Sequence, residues 1–210
     1  MSLFITFEGP DGSGKSTQIA LLAERLRDLG HDVCLTREPG GTLIGDQVRG
    51  VLHDLKNTAM QPRAEILLYS ASRAQLVGEL IRPHLERGGA VLCDRYADST
   101  LAYQGYGHGL DLDVLRTITR FATGGLTPDL TLLLDVEAEA GLRRRKAGGD
   151  WNRLDAYDLE FHRRVRQGYF KLAEAEPERW VVVNAEAGVE ELAERIWGEV
   201  AGRLEMRSET

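Results

Sequence analysis

Cysteine is scarce in this sequence. Cys34 and Cys93 are the two thiols in 210 residues, too few for a disulfide framework, and both sit in apolar strand-like runs that suit reduced core residues. Five histidines, His31, His53, His84, His108 and His162, show neither zinc-ligand spacing nor cysteine partners, so no structural metal is expected. Positive charge is in deficit: 26 Lys and Arg against 33 Asp and Glu leave a net charge of -7. That balance excludes a surface built mainly to grip nucleic acid, because phosphate backbones are held by clustered cations. No apolar run approaches the roughly 20 residues of a membrane helix. Met1 to Phe7 leads straight into a Gly-rich motif with no signal-peptide pattern, so a cytoplasmic address without membrane partners is expected. There is also no internal repeat and no low-complexity linker, which points to a single domain over residues 1–210.

What is present is alternation. Leu3 to Phe7, Asp32 to Thr36, Ala90 to Cys93, Leu130 to Val136 and Trp180 to Asn184 read as buried strands. Near-continuous apolar runs such as Leu130 to Leu134 suit a parallel sheet covered on both faces. Helical periodicity marks Thr17 to Leu29, Arg63 to Glu86, Asp111 to Ala122, Tyr157 to Glu174 and Val189 to Leu204. The expected fold class is therefore α/β: a doubly wound, five-stranded parallel sheet flanked by helices, with ligands at the carboxyl ends of the strands. The charged segment Arg143 to Arg153, with Gly148 and Gly149 inside it, reads as a mobile loop between two helices, a lid over about residues 143–155.

The chemistry begins at Gly9-Pro10-Asp11-Gly12-Ser13-Gly14-Lys15-Ser16, a G-x-x-x-x-G-K-[ST] motif between a strand and a helix. Its glycines let backbone N–H groups wrap an anionic phosphate at a helix N-terminus. Lys15 adds charge at the β- and γ-phosphates, and the Ser16 hydroxyl suits Mg²⁺. The pattern predicts a P-loop NTPase fold that binds Mg-ATP. Asp94, ending the strand Ala90 to Cys93, is in position to reach the metal or its waters. No Asn-Lys-x-Asp motif for guanine is present, which disfavours a GTPase.

A longer series gives a resemblance. Phe7 to Thr17, then Thr36-Arg37-Glu38-Pro39-Gly40-Gly41-Thr42, Leu67 to Arg73, and Asp94-Arg95-Tyr96 with Ser99-Thr100 and Tyr103-Gln104-Gly105 resemble, in order, the signatures of bacterial thymidylate kinases. The resemblance implies transfer of a phosphoryl group from ATP to thymidine 5′-monophosphate (dTMP), and a homodimer. It implies that Tyr69 flanks the thymine ring, that Arg73 bonds its carbonyl edge, and that Ser99, Thr100 and Gln104 help hold the nucleotide. Arg49 and Arg95 would grip the acceptor phosphate, and Tyr103 would crowd the 2′ side of the sugar. Asp11 would lie near the 3′-hydroxyl and the metal. Arg37 and Glu38 are expected to stabilise the turn at Pro39 rather than to touch substrate.

An acceptor phosphate needs no general base, since its second pKa is near ~6 and the attacking oxygen is already mostly deprotonated at neutral pH. Two other readings remain open at this stage. A deoxynucleoside kinase would need a carboxylate base, for which Glu8 or Glu38 could serve; a non-catalytic ATPase switch would need no acceptor. The resemblance further indicates that some thymidylate kinases carry an Arg where this P-loop has Gly12. The transition-state cation is then expected from the lid, Arg153 first and Arg145 second.

Overall fold

A computed structural model describes residues 2–149 and 151–208. Strands β1 (Leu3–Glu8), β2 (Val33–Arg37), β3 (Ala90–Asp94), β4 (Leu130–Asp135) and β5 (Trp180–Asn184) form one parallel sheet in the order β2-β3-β1-β4-β5. β1 is central, pairing Leu3 with Ala90 of β3 and Ile5 with Leu130 of β4. Each strand lies within one residue of its expectation, because a strand buried on both faces leaves an unbroken apolar run that sequence displays directly.

Alternation along β1 divides the core. Leu3, Ile5 and Phe7 pack with Leu92, Leu132 and Leu134 against Leu22 and Leu26 of α1 (Lys15–Asp28) and Leu192, Ile196 and Val200 of α9 (Val189–Ser208). Phe4 points the other way, with Val91 and Cys93, onto Leu76, Val77, Ile81 and Tyr96. Further along that side, Leu133 and Trp180 meet Val165, Tyr169 and Leu172 of α8 (Leu159–Ala175). Each fully buried Leu, Ile or Phe contributes about 1.5–3 kcal/mol. A core of this extent can carry several buried charges at the strand ends.

The helices depart from expectation in four places. α2 (Leu43–His53) was not expected as an element; Thr42 caps it by accepting from the Gly45 N–H at 3.0 Å. The stretch expected as one helix from Arg63 to Glu86 is α3 (Pro62–Leu76), a π-helical turn (Val77–Ile81) and α4 (Arg82–Glu86). Pro83 has no N–H to donate and its ring crowds the preceding turn, a sufficient cause for that widening. After β3, α5 (Ala97–Thr100) passes into a second π-helical turn (Leu101–Gly107), followed by α6 (Leu112–Thr123), capped by Asp111. Finally, the basic stretch expected as a loop is the end of α7 (Ala138–Gly148). Gly149 closes that helix in a left-handed conformation, and Asp150, part of the expected lid, lies outside the described residues.

Candidate active site

The loops after β1, β2 and β3 open onto one cleft of about 830 Å³. At one end lies the turn between β1 and α1. Gly12, at φ +76°, brings the P-loop so near α7 that a Cβ there would sit 2.2 Å from the Gly141 carbonyl oxygen. Lys15 is buried rather than free of protein contacts: its Nζ donates to the carbonyls of Gly9 (3.2 Å) and Pro10 (2.9 Å) and to Ser13 Oγ (3.3 Å). Burial, assisted by Arg95, lowers its pKa to about 8. Ser16 and Thr17 are exposed at the mouth of the turn, and Ser16 Oγ donates to Asp94 Oδ2 at 3.1 Å. The two residues expected to face a metal are therefore neighbours.

Arg95 follows Asp94 with φ +66°, a left-handed backbone that an arginine adopts only where its surroundings hold it. Its guanidinium donates to Asp11 Oδ1 (2.9 Å), Tyr103 Oη (3.1 Å), Tyr169 Oη (3.0 Å) and Ser99 Oγ (3.3 Å). Tyr103 in turn donates to Asp11 Oδ2 at 2.8 Å. Burial works against charge on Asp11, but Arg95, Lys15 and these hydrogen bonds outweigh it and hold the carboxyl well below the usual range. Beneath them, Glu8 is fully buried and accepts from the Tyr96 N–H, Ser99 Oγ and Tyr169 Oη. It supports the site from behind and does not line the cleft.

The far end of the cleft is set by α3 and the second π-helical turn. Tyr69, half-buried, lines it together with Arg73, Thr100 and Gln104. Arg73 is 1% exposed; its Nε (2.8 Å) and Nη2 (2.7 Å) pair with Glu38 Oε2, Nη2 also meets the Tyr96 carbonyl, and Nη1 donates to Thr100 Oγ1 at 3.0 Å. Glu38 thus holds the arginine more than it holds the turn at Pro39. Arg49, from α2, donates to the Pro39 carbonyl at 2.9 Å and faces the cleft between the two ends. Next to it, burial and then the charge of Arg49 push His53 down to about 4, so that its ring is neutral.

A family model described as "Thymidylate kinase" matches residues 7–196. The chain belongs to the thymidylate kinase family. It is 58% identical over 208 residues to a thymidylate kinase of Roseiflexus sp. (strain RS-1), covering 93% of this chain and 92% of that one. The thymidylate kinase of Deinococcus radiodurans is 57% identical over 201 residues, with 96% and 97% covered. Among solved structures, the crystal structure of thymidylate kinase from Ehrlichia chaffeensis superposes with a TM-score of 0.80 at 34% identity, covering 95% of this chain and 98% of that chain.

In the thymidylate kinase lid the two expected arginines are placed differently. Arg153 does not face the phosphate end: it is buried, Nε donates to the Leu52 carbonyl (3.0 Å), Nη1 to Tyr157 Oη (2.9 Å), and Nη2 is paired with Glu65. To reach a transferring phosphoryl group from this position it would have to exchange its pairing with Glu65 for the phosphate. Arg145 lines the cleft, with Nε 3.3 Å from Asp155 Oδ2, and so does Arg144, whose Nη1 donates to the Ala185 carbonyl. Glu65 and Tyr169 were not singled out in the sequence, while Glu8 was weighed there only as a base and Arg144 only as part of the lid. Glu65 had a readable signal, since Glu65, Tyr69 and Arg73 fall at i, i+4 and i+8 on one helical face.

Proposed function

We infer that this chain phosphorylates dTMP to its diphosphate, with ATP as donor and Mg²⁺ as the accompanying metal, in the cytoplasm and as a homodimer. The observation that carries the reading is the single cleft that joins Lys15 and Ser16 at one end to Tyr69, Arg73 and Gln104 at the other. A nucleotide whose base lies on Tyr69 directs its phosphate toward the P-loop, past Arg49 and Arg95. Tyr69 offers an aromatic face, Arg73 a donor for a carbonyl oxygen, and Tyr103, 5% exposed, a bulky wall beside the sugar.

Gly9, Pro10, Asp11, Gly12, Ser13, Gly14, Lys15, Ser16 and Thr17 form the turn that would cradle the ATP phosphates. Ser16 and Asp94 supply adjacent hard oxygens at an exposed mouth, the donor chemistry that suits Mg²⁺ while it keeps most of its waters. When bound, the metal neutralises charge on the β- and γ-phosphates. The protein then has to align the two phosphates and surround the transferring group with cations; Lys15, Arg95, and Arg145 with Arg144 fill that role. Glu8 and Glu38 are both committed to buried partners, which disfavours a kinase that must deprotonate a nucleoside hydroxyl.

ADP release measured against a panel of nucleoside monophosphates, with thymidine and no acceptor as controls, tests the reading. Turnover is expected with dTMP and more weakly with its uridine counterpart, the methyl group being worth roughly 1–3 kcal/mol. Lys15→Ala should lower turnover by at least about a hundredfold while the protein stays folded. Turnover of thymidine, or ATP hydrolysis indifferent to acceptor, would overturn it.

A further inference from the structure

Behind the base end of the cleft, next to Gln104 of its lining, lies a buried ion pair. Glu65 on α3 is 1% exposed. Its Oε2 is paired with Arg153 Nη2, and its Oε1 accepts from Gln104 Nε2 at 2.7 Å, with His108 Nε2 3.6 Å away. Tyr157, which accepts from Arg153, and Tyr69, one turn along α3, are the other titratable groups facing it. Burial pushes the Glu65 carboxyl up, but His108, Arg153 and Gln104 together bring it below its ordinary value.

An ionised carboxylate only accepts hydrogen bonds, so the Gln104 amide has one allowed orientation: Nε2 toward Glu65 and Oε1 toward the cleft it lines. Arg73 offers the opposite polarity. Of its five N–H groups, Glu38, Tyr96 and Thr100 occupy four, which leaves one on Nη1. The pocket therefore presents a donor beside an acceptor.

We propose that Glu65, paired with Arg153, is a positioning residue that fixes the hydrogen-bond polarity of the base pocket by forcing Gln104 to present an acceptor. The pocket then takes a pyrimidine whose ring nitrogen carries a proton and rejects one whose ring nitrogen is an acceptor. This rests on the nucleotide acceptor proposed above. Arg153 enters as the partner that keeps Glu65 charged and ties the segment after α7 to the base pocket. The same buried polar mismatch that makes hydrogen-bonded sites selective supplies the discrimination.

The test uses 5-fluoro-2′-deoxyuridine 5′-monophosphate, whose fluorine acidifies the ring N–H, with deoxyuridine monophosphate as reference. Ionisation turns that nitrogen into an acceptor while the carbonyl that Arg73 would meet remains one. For the wild-type enzyme the ratio of kcat/KM values, fluorinated over reference, should fall as pH rises, by about tenfold per pH unit once the fluorinated base is mostly ionised. In Glu65→Gln the new amide accepts from Arg153 and donates to Gln104 Oε1, turning the Gln104 NH₂ to the cleft. The ratio should then hold steady or rise, and kcat/KM for dTMP should drop about tenfold or more. Glu65→Gln combined with Arg153→Gln removes both buried charges together, gives the same expected profile, and serves if the single variant does not fold. A wild-type ratio that stays flat, or a variant whose ratio falls as steeply as wild type, would overturn the proposal. Failure of the acceptor reading is separate, because it appears as no turnover of dTMP by the wild-type enzyme.

Discussion

Glu8 shows how a residue with no substrate contact can shape behaviour across a pH range. It ends β1 with no exposed surface, and burial, reinforced by the charge of Asp98, lifts its pKa to about 7 although Arg95 and its hydrogen bonds oppose the rise. Its ordinary value is 4.5, so between about 4.5 and about 7 the folded protein keeps a proton that the unfolded chain has released. This contribution to stability is complete below the lower value and is lost as pH rises through the upper one. Glu8→Gln can still accept from the Tyr96 N–H and can donate to Ser99 or Tyr169, whose hydroxyls reorient. Thermal unfolding of both proteins from pH 4.5 to 7.5 should show the wild-type Tm falling relative to the variant by several degrees. Parallel curves would mean that Glu8 is ionised throughout. The residues on the substrate side, Tyr69, Arg73, Thr100 and Gln104, were legible through their motifs. Arg153 was legible as a charge but its resting contacts were not, because its partners Leu52 and Glu65 lie 101 and 88 positions away in sequence.

Elements were legible in proportion to how far their pattern serves the core. The strands announce themselves because both faces are buried. α2 buries only Gly45 and Leu52, so its spacing carries no helical stripe toward the sheet. The end of α7 reads as a loop in the sequence because it is charged and carries glycines, yet Arg and Lys are good helix formers and the break falls at Gly149. The two π-helical turns leave no local signature, although the second one presents Tyr103 and Gln104. The contact between α7 and the P-loop is built from two glycines: a Cβ on Gly12 would meet the Gly141 carbonyl at 2.2 Å, and one on Gly141 would meet the Asp11 carbonyl at 2.4 Å. An arginine at position 12 has no room unless α7 retreats, which is consistent with the proposed supply of the cation by that helix. Gly141→Ala should push α7 back and carry Arg144 and Arg145 away from the phosphate end. Turnover should fall by on the order of tenfold or more while the dTMP dissociation constant changes little. Unchanged single-turnover rates would show that this spacing does not set the transfer step.

At the scale of the whole molecule, the single chain leaves apolar surface uncovered. Phe121 on α6 is 89% exposed, Val114 on the same helix 56% and Leu67 on α3 60%. Val114 and Phe121 are seven residues apart, as are the exposed Ile44 and Val51 of α2, so each pair faces one way. α3 packs against both α2 and α6, which makes the three outer faces neighbours. Single exposed apolar residues are ordinary, but a run of them across adjacent helices marks an association surface. A second copy of the chain is the occupant proposed here, and the consequence reaches the site, because α3 carries Leu67 outward while Glu65 and Arg73 are buried on its inner side. Sedimentation of the wild-type protein at micromolar concentration should therefore give a dimer, and Leu67→Glu with Phe121→Glu should give a monomer. Neither side chain contributes to the core, so unfolding of the monomer should be displaced only by what dimerisation itself adds. The KM for dTMP should rise several-fold in the monomer, since α3 loses the support on its outer face, while a double variant that stays dimeric, or a wild-type protein that is already monomeric, would place the interface elsewhere or remove it.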